Sequence, residues 1–295
     1  MNRRILIAFL FAAVSCSAAG TAEYSNGEIV LIGSTPGGNE IKRTLGIDGG
    51  RKVDFIRWEL RLNDGAGSFK GNVAYGEGQP NTNGFIGTGE VREFAGQYIR
   101  DGERFRLSAE GIPGAIVLAD IDGRIFHLVG RDNSLMVGNG GWGYTLTRQD
   151  RGAGKGRQLR SVSKTLLDET EPETVFEGRT PCVDLGRREL QFTDGCLKLK
   201  WRLRLKRDGG SRTTGTYRLE STMNRRETVA GKWALVNGTH SNPNALFLML
   251  DMDHPAGPIS YFVGDSSVIF LTDRDERLRV GNGDFGFTLN RIERS

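Results

Sequence analysis

Three groups of side chains in this sequence have types and spacings that could do chemistry. Cys182 and Cys196 are thiols, Met252 and His254 are neighbours with Met249 just before them, and a run of alternating cations follows Cys196. Paired thiols can form a disulfide, thioether and imidazole suit copper, and a cationic stripe can bind an anion. Which of these chemistries applies depends on the compartment and on the elements that hold the side chains.

The first residues predict export from the cell. Two arginines precede the apolar run Ile5–Val14, and small residues follow, which is the pattern of a secretory signal peptide over residues 1–19. Two processing routes stay open, which are ordinary cleavage after Ala19 and lipidation at Cys16. We expect a periplasmic protein, or an outer-membrane lipoprotein whose only membrane contact is a lipid on Cys16.

Either route removes Cys16 from the count of thiols. Cys182 and Cys196 then remain as an even pair in an oxidising compartment, which favours a disulfide over a reactive thiol. Cys196 stands at the start of a predicted strand. We therefore predict a Cys182–Cys196 disulfide within one domain.

Met252 and His254 are the candidate metal ligands. They share one face if their strand is regular, whereas Met249 falls on the other face. A core strand that runs into a hairpin explains the same residues without a metal. Because two ligands on a turn lack a preorganised shell, we predict weak copper binding at most and no resident cofactor.

An Asp-x-Asp motif beside a turn occurs twice, at Asp120–Asp122 and at Asp251–Asp253. One such motif supplies too few oxygens for calcium, which takes six to eight. Aspartate also forms turns by bonding its own backbone. We interpret both motifs as turn-forming.

Five cations alternate along one predicted strand face: Lys198, Lys200, Arg202, Arg204 and Lys206. Like charges at every second residue repel, and folding does not require five of them. Two interpretations stay open, which are a solvated face paired with acids on neighbouring strands and a surface for an anionic glycan, a lipid or a partner protein. The formal charge of +4 falls to +2 without the two arginines of the signal, which is too near balance to indicate a nucleic-acid binder.

The sequence carries no recognisable catalytic signature. Its histidines are His127, His240 and His254, and none lies in a nucleophile motif, a zinc spacing or a phosphate loop. We therefore predict that the protein is not an enzyme and acts by binding or contact.

The elements that must position these residues occur twice. Val137–Arg148 (VGNGGWGYTLTR) nearly repeats as Val280–Arg291 (VGNGDFGFTLNR), and Ile56–Leu62 matches Leu199–Leu205 at the same offset of 143 residues. Further matches in the same order predict a duplicated domain at 25–149 and 174–293. Residues 150–173 have a basic first half and an acidic second half, so we expect an exposed linker.

Each copy has the pattern of antiparallel strands and no convincing helical periodicity. Apolar and charged residues alternate along Ile56–Leu62, and Asp-Gly and Asn-Gly turns recur between short apolar runs. Closure into a barrel leaves no exposed strand edge. We predict an all-β chain of two tandem antiparallel lipocalin-like β-barrels. On the inner face of the closing strands we place Trp142, Tyr144, Phe285 and Phe287.

The second copy, over Val175–Ile292, resembles the N-terminal domain of the copper resistance lipoprotein NlpE. The likeness lies in the order of FEGRTPCVDLGRRELQF, CLKLKWRLRLKRDGG, VAGKW and YFVGDSSVIFLTD. It implies a small lipocalin-like barrel in a family of outer-membrane lipoproteins associated with copper tolerance, adhesion sensing and envelope-stress signalling. The family opens with Cys-x-x-Cys, of which only Cys182 is present because Leu185 holds the second place. The redox or metal chemistry of that motif is therefore not carried over.

Residues and resemblance together predict a non-catalytic cell-envelope protein of the copper-homeostasis or envelope-stress type. Two alternatives stay open, which are a periplasmic carrier of a small apolar ligand in the barrel mouths and a structural or adhesion module. The expected partners are an envelope protein or an anionic glycan or lipid surface, and not nucleic acid.

Overall fold

A computed structural model describes most of the chain. It covers residues 27–149, 156–161, 166, 172–183, 185–187, 196–209, 211–221 and 228–292. The predicted signal peptide and Cys16 lie outside these residues. Within them, helices are too short or too polar to cross a membrane.

The first barrel consists of eight antiparallel strands that pair in sequence order and close between the first and the last. One short helix, α1 (Asn39–Leu45), follows the first strand. The strands are β1 (Glu28–Pro36), β2 (Phe55–Asn63), β3 (Ser68–Gly76), β4 (Glu90–Asp101), β5 (Arg104–Ala109), β6 (Ile116–Asp120), β7 (Ile125–Leu128) and β8 (Thr145–Arg148).

The second barrel has the same order and closes where its last strand pairs with its first. The prediction of an all-β chain with two tandem closed barrels is confirmed. The strands are β9 (Glu173–Thr180), β10 (Leu199–Arg207), β11 (Thr214–Ser221), β12 (Thr228–Asn237), β13 (Leu246–Leu250), β14 (Ile259–Val263), β15 (Val268–Leu271) and β16 (Thr288–Arg291).

A buried tryptophan marks the same position in both barrels. Trp58 Nε1 donates to Thr35 Oγ1 at 2.8 Å, and Trp201 Nε1 donates to Thr180 Oγ1 at the same distance. Both rings lie in the cores, on the inner faces of β2 and β10. Since an indole N–H without a partner is costly inside a protein, the threonine hydroxyl is what permits tryptophan at these positions.

Trp58→Phe and Trp201→Phe should each lower the free energy of unfolding by about 1–3 kcal/mol, because each leaves a buried threonine hydroxyl without its partner. Urea unfolding of the two variants measures the loss. Trp142→Phe is the matched control, since Trp142 lies outside the core clusters. A loss in only one of the two core variants would contradict the structural equivalence of the barrels.

The helix α1 was not predicted from the sequence. Its Ile41 and Leu45 are buried in the core of the first barrel, and Gly46 ends it in the left-handed conformation with φ of 66°. A helix this short shows too little periodicity to be recognised, and it is stabilised by packing and not by intrinsic propensity.

The two barrels pack against each other through their outer faces. Strands β7, β13, β14 and β15 are buried on both faces, which is why their sequences are continuous apolar runs and do not alternate. The buried inter-barrel cluster contains Ala119, Ile125, Val129, Leu135, Leu159, Ala245, Phe247, Met249, Phe262, Val268, Phe270 and Leu278.

Equivalent residues of the two copies meet at the centre of this contact. Thr145 Oγ1 and Thr288 Oγ1 are 2.7 Å apart, and their positions differ by the repeat offset of 143. His127 and Phe270 occupy equivalent positions in the repeats and pack edge to face, with ring centroids 5.7 Å apart. Self-pairing of equivalent residues is the geometry of a two-fold symmetric dimer, formed here within one chain.

The prediction of an exposed linker needs correction at two positions. Leu159 is 2% exposed in the inter-barrel cluster, and Leu166 is fully buried in the core of the second barrel. Residues 156–158 and 160 are exposed, as expected. Single leucines in a polar segment carry no periodic signal, so only the packed barrels show where they are buried.

Candidate functional site

Cations and aromatic rings adjoin in two cavities between the barrels. Two cavities of about 680 and 300 Å³ share the side chains of Asn139, Trp142, Arg179 and Lys200 in their walls. Lys198 lines the smaller cavity. We call these cavities together the basic groove, defined by Trp142, Arg179, Lys198 and Lys200.

An aromatic column supports one wall of the basic groove. The rings of Phe85 and Phe55 stack with centroids 4.1 Å apart, and Phe55 stacks on Trp142 at 5.0 Å. The guanidinium carbon of Arg179 lies 5.1 Å from the Trp142 ring centroid. A cation over an indole face is attracted by the ring, so the column fixes the position of Arg179.

The placement of Trp142 corrects its prediction as an inner-face residue. β8 begins only at Thr145, and Trp142 lies in the preceding turn, where Asn139 Oδ1 accepts the N–H groups of Gly141 and Trp142, both at 3.0 Å. Tyr144 and Phe287 do lie in the barrel cores, as predicted. Phe285 is buried outside the core cluster of the second barrel, with its ring centroid 5.6 Å from Lys198 Nζ.

Arg179 and Lys198 are a pair of partly buried cations. Burial lowers the pKa of the Arg179 guanidinium. Burial also lowers the pKa of Lys198, as do the nearby charges of Arg179 and Lys200, while Asp284 opposes the shift. In the described parts of the chain, no carboxylate forms an ion pair with Arg179 or Lys198. An anion bound beside them would relieve this repulsion.

Arg202 and Arg204 of the cationic stripe are paired with acids. Arg202 Nε lies 2.5 Å from Glu177 Oε1, and Arg204 lies 3.6 Å from both Glu173 and Glu220. The interpretation as an outer face paired with acids on neighbouring strands is therefore confirmed for these two arginines. Lys206 is exposed and lies outside the basic groove.

The two repeats differ at one acidic position beside the basic groove. Lys200 is equivalent to Arg57, whose Nη2 lies 2.9 Å from Asp284 Oδ1 across the inter-barrel contact. Asp284 in turn is equivalent to Gly141, so the half of the contact that contains Lys200 has glycine where the other half has a carboxylate. A Cβ atom at Gly141 would lie 3.4 Å from Arg179 Cζ. A side chain at position 141 would therefore face Arg179.

Arg179 and Gly141 were not predicted as site residues. The signal that could have found them is the difference between the repeats, since GSTP at 33–36 becomes GRTP at 178–181 and GDFG at 283–286 is GGWG at 140–143. At this contact the second copy has Arg179 where the first has Ser34, and the first copy has Gly141 where the second has Asp284. Both differences favour anion binding. Only the packing of the barrels shows that these positions adjoin.

The predicted Cys182–Cys196 disulfide is confirmed, with Cα atoms 6.0 Å apart. It joins the segment after β9 to the segment before β10. Arg179 precedes Cys182 by three residues, and Lys198 follows Cys196 by two. The disulfide therefore restrains both backbone segments that carry the cation pair.

The candidate metal ligands do not share a strand face. β13 ends at Leu250, so Met252 and His254 lie in the turn that follows, where Met252 is 55% exposed. His254 Nδ1 accepts the N–H of Ala256 at 3.1 Å. Met249 is 7% exposed in the inter-barrel cluster. Within the described ranges, no group of three or more His, Cys, Asp and Glu side chains is placed to hold a metal.

The two Asp-x-Asp motifs have different roles. Asp120 accepts the N–H of Gly123 at 2.6 Å, and Asp122 accepts the N–H of Arg124 at 2.9 Å, so the first motif forms a turn as predicted. Asp251 instead accepts the Tyr217 hydroxyl at 2.6 Å and pairs with the buried Arg187 at 3.2 Å. This network links the disulfide-closed segment to the second barrel.

Comparisons with family models, with curated proteins and with solved structures gave no match for this chain. The function is therefore argued from the geometry and charges of the basic groove.

Proposed function

We propose that this chain is a non-catalytic protein of the bacterial cell envelope that binds an anionic partner in the basic groove. The observation that supports the proposal is the half-buried pair of Arg179 and Lys198, with which no described carboxylate forms an ion pair, although the charge of Asp284 acts on Lys198. Hydrogen bonds from cations to an oxyanion are about twice as strong as neutral ones. The aromatic column preorganises Arg179, which lowers the entropic cost of binding.

The envelope setting rests on the predicted signal peptide and on the disulfide, which persists in oxidising compartments. The resemblance to the NlpE N-terminal domain supports a copper-homeostasis or envelope-stress role. In this proposal such a role runs through contacts of the basic groove and not through metal coordination, because Met252 and His254 lie beyond the end of β13 and do not share a strand face.

The alternative of an apolar ligand in the barrel mouths has less support. Both barrel interiors contain continuous clusters of packed apolar side chains. Such a ligand would have to displace these side chains, whereas the basic groove is open between the barrels.

Arg179→Ser should weaken the binding of citrate by about tenfold or more, because one charge-assisted contact contributes about 1.5–3 kcal/mol. Serine is the residue that the first copy carries at the equivalent position, Ser34. Isothermal titration calorimetry at low ionic strength measures the affinity. Lys206→Ser is the matched control, since it removes the same charge from the neighbouring strand β10 outside the basic groove. If both variants lost citrate affinity equally, the attraction would come from the overall positive charge, and this result would contradict a citrate site in the basic groove.

A further inference from the structure

The walls of the basic groove distinguish between classes of anion. We infer that its ligand is a linear oligosaccharide that carries few acid groups, with one acid group between Arg179 and Lys198 and neutral sugar units along the flanking walls. This inference rests on the proposed function of the basic groove and names the class of its ligand.

Uncharged hydrogen-bonding side chains line both sides of the cation pair. In the smaller cavity these are Gln79, Asn81 and Thr82, from the loop between β3 and β4. In the larger cavity they are Ser221 and Thr228, at the facing ends of β11 and β12. Amide and hydroxyl groups both donate and accept hydrogen bonds, as sugar hydroxyls do. An acyl chain would instead require apolar walls.

The size of the basic groove favours several units over a single small anion. The larger cavity alone, at about 680 Å³, is within the range of roughly 300–1,000 Å³ that holds drug-sized ligands. The cavities share Asn139, Trp142, Arg179 and Lys200, so one extended ligand can occupy both by crossing at Arg179. A single phosphate would leave most of this space to water.

The acids in the walls favour a sparsely charged ligand over a dense polyanion. Asp54 lines the smaller cavity, and Glu177 and Glu220 line the larger one. Glu177 and Glu220 lie beside Arg202 and Arg204, so these two arginines already have carboxylate partners and would not take up further acid groups of a ligand. Among the cations that line the cavities, Arg179 and Lys198 form no ion pair with a described carboxylate. The charge distribution therefore suits one acid group flanked by neutral units.

Calorimetric titration with three sugars tests the inference: sialyllactose, which carries one carboxylate on a trisaccharide, free sialic acid and lactose. We expect sialyllactose to bind about tenfold or more tightly than either fragment, since both acid and neutral units contribute. Equal affinity for sialyllactose and sialic acid would overturn the role of the walls. If lactose bound as tightly as sialyllactose, the proposed role of the acid group would be overturned. If tetragalacturonate, which has an acid group on every unit, bound more tightly than sialyllactose, the inference of a sparsely charged ligand would be overturned.

Two variants of the full chain separate the acid contact from the walls. Gly141→Asp places in the groove the carboxylate that the other copy carries as Asp284, and its backbone does not have a positive φ. It should abolish binding of both citrate and sialyllactose. Gln79→Ala, at an exposed position in the wall of the smaller cavity, should weaken the binding of sialyllactose by a larger factor than the binding of citrate. If citrate binds wild-type protein in an Arg179-dependent manner but sialyllactose has no advantage, the sugar inference fails and the proposed function stands. If neither citrate nor sialyllactose binds, both fail.

Discussion

Lowering the pH from 7 to 4 should destabilise the folded protein by about 3 kcal/mol through His127 alone. Burial lowers the pKa of this imidazole from 6.5 to about 4, and the charge of Arg104 adds to the shift, while the hydrogen bond to Met136 opposes it. A difference of one pKa unit between folded and unfolded states corresponds to about 1.4 kcal/mol of stability. His127 is fully buried in the inter-barrel contact, so solvent does not screen the effect.

The hydrogen bonds of His127 define its neutral form. Nε2 lies 2.9 Å from the carbonyl oxygen of Met136, which can only accept, so Nε2 carries the proton. Nδ1 then accepts from the Thr145 hydroxyl at 3.0 Å, and Thr145 accepts from the Thr288 hydroxyl at 2.7 Å. A second proton on Nδ1 would turn this acceptor into a donor and would disrupt the chain of hydrogen bonds at the centre of the contact.

The direction of the effect follows from the two pKa values. Because the folded pKa is depressed, the unfolded chain binds more protons between pH 6.5 and 4. The stability contribution of neutral His127 is complete above pH 6.5 and is lost as the pH falls toward 4. Acid should therefore loosen the contact between the barrels first.

Urea unfolding at pH 7 and pH 4 measures this loss. His127→Phe introduces the residue that the second copy carries as Phe270, and it should reduce the pH-dependent loss by about 3 kcal/mol whatever its stability at pH 7. Carboxylate protonation is common to all variants and cancels in the comparison. His240→Gln, at an exposed histidine, is the control and should keep the wild-type dependence. An unchanged dependence in His127→Phe would show that this histidine does not titrate in that range.

Removing the disulfide should cost about 3 kcal/mol of stability and should also weaken anion binding. The Cys182–Cys196 bond closes a loop with a sequence separation of 14, for which the chain-entropy estimate is about 3 kcal/mol. The same bond restrains the segments that carry Arg179 and Lys198. Without it the two cations lose their fixed spacing, and binding must then order them at an entropic cost.

The double variant Cys182→Ser/Cys196→Ser tests both effects. Urea unfolding gives the change in stability, and citrate titration gives the change in affinity under conditions where the variant is folded. Wild-type protein with its disulfide reduced should behave like the variant, which separates the loss of the bond from the substitution. Unchanged stability would contradict the loop-closure argument. Lower stability with unchanged citrate affinity would show that the disulfide does not organise the basic groove.

Local patterns were sufficient to predict the strands, the barrels and the disulfide. The alternation along Ile56–Leu62 and Leu199–Leu205 fixes which face of each strand is buried, because side chains alternate along any strand. The repeat then requires that both copies fold alike. The Cys182–Cys196 pair follows from an even thiol count in a chain that is predicted to be exported. These predictions depend on neighbours along the chain, which the sequence displays directly.

Contacts between the copies were decided only by the tertiary structure. The apolar runs of β7 and β15 fit a strand buried on both faces, but they do not say which surface covers the outer face. Packing of one barrel on the other buries Leu159 and turns Trp142 toward Arg179. It also places Gly141 where a carboxylate would meet that arginine. The neighbouring cations Arg179 and Lys198, which form no ion pair with a described carboxylate, face Trp142 and Gly141 of the other repeat, so neither repeat shows the basic groove alone.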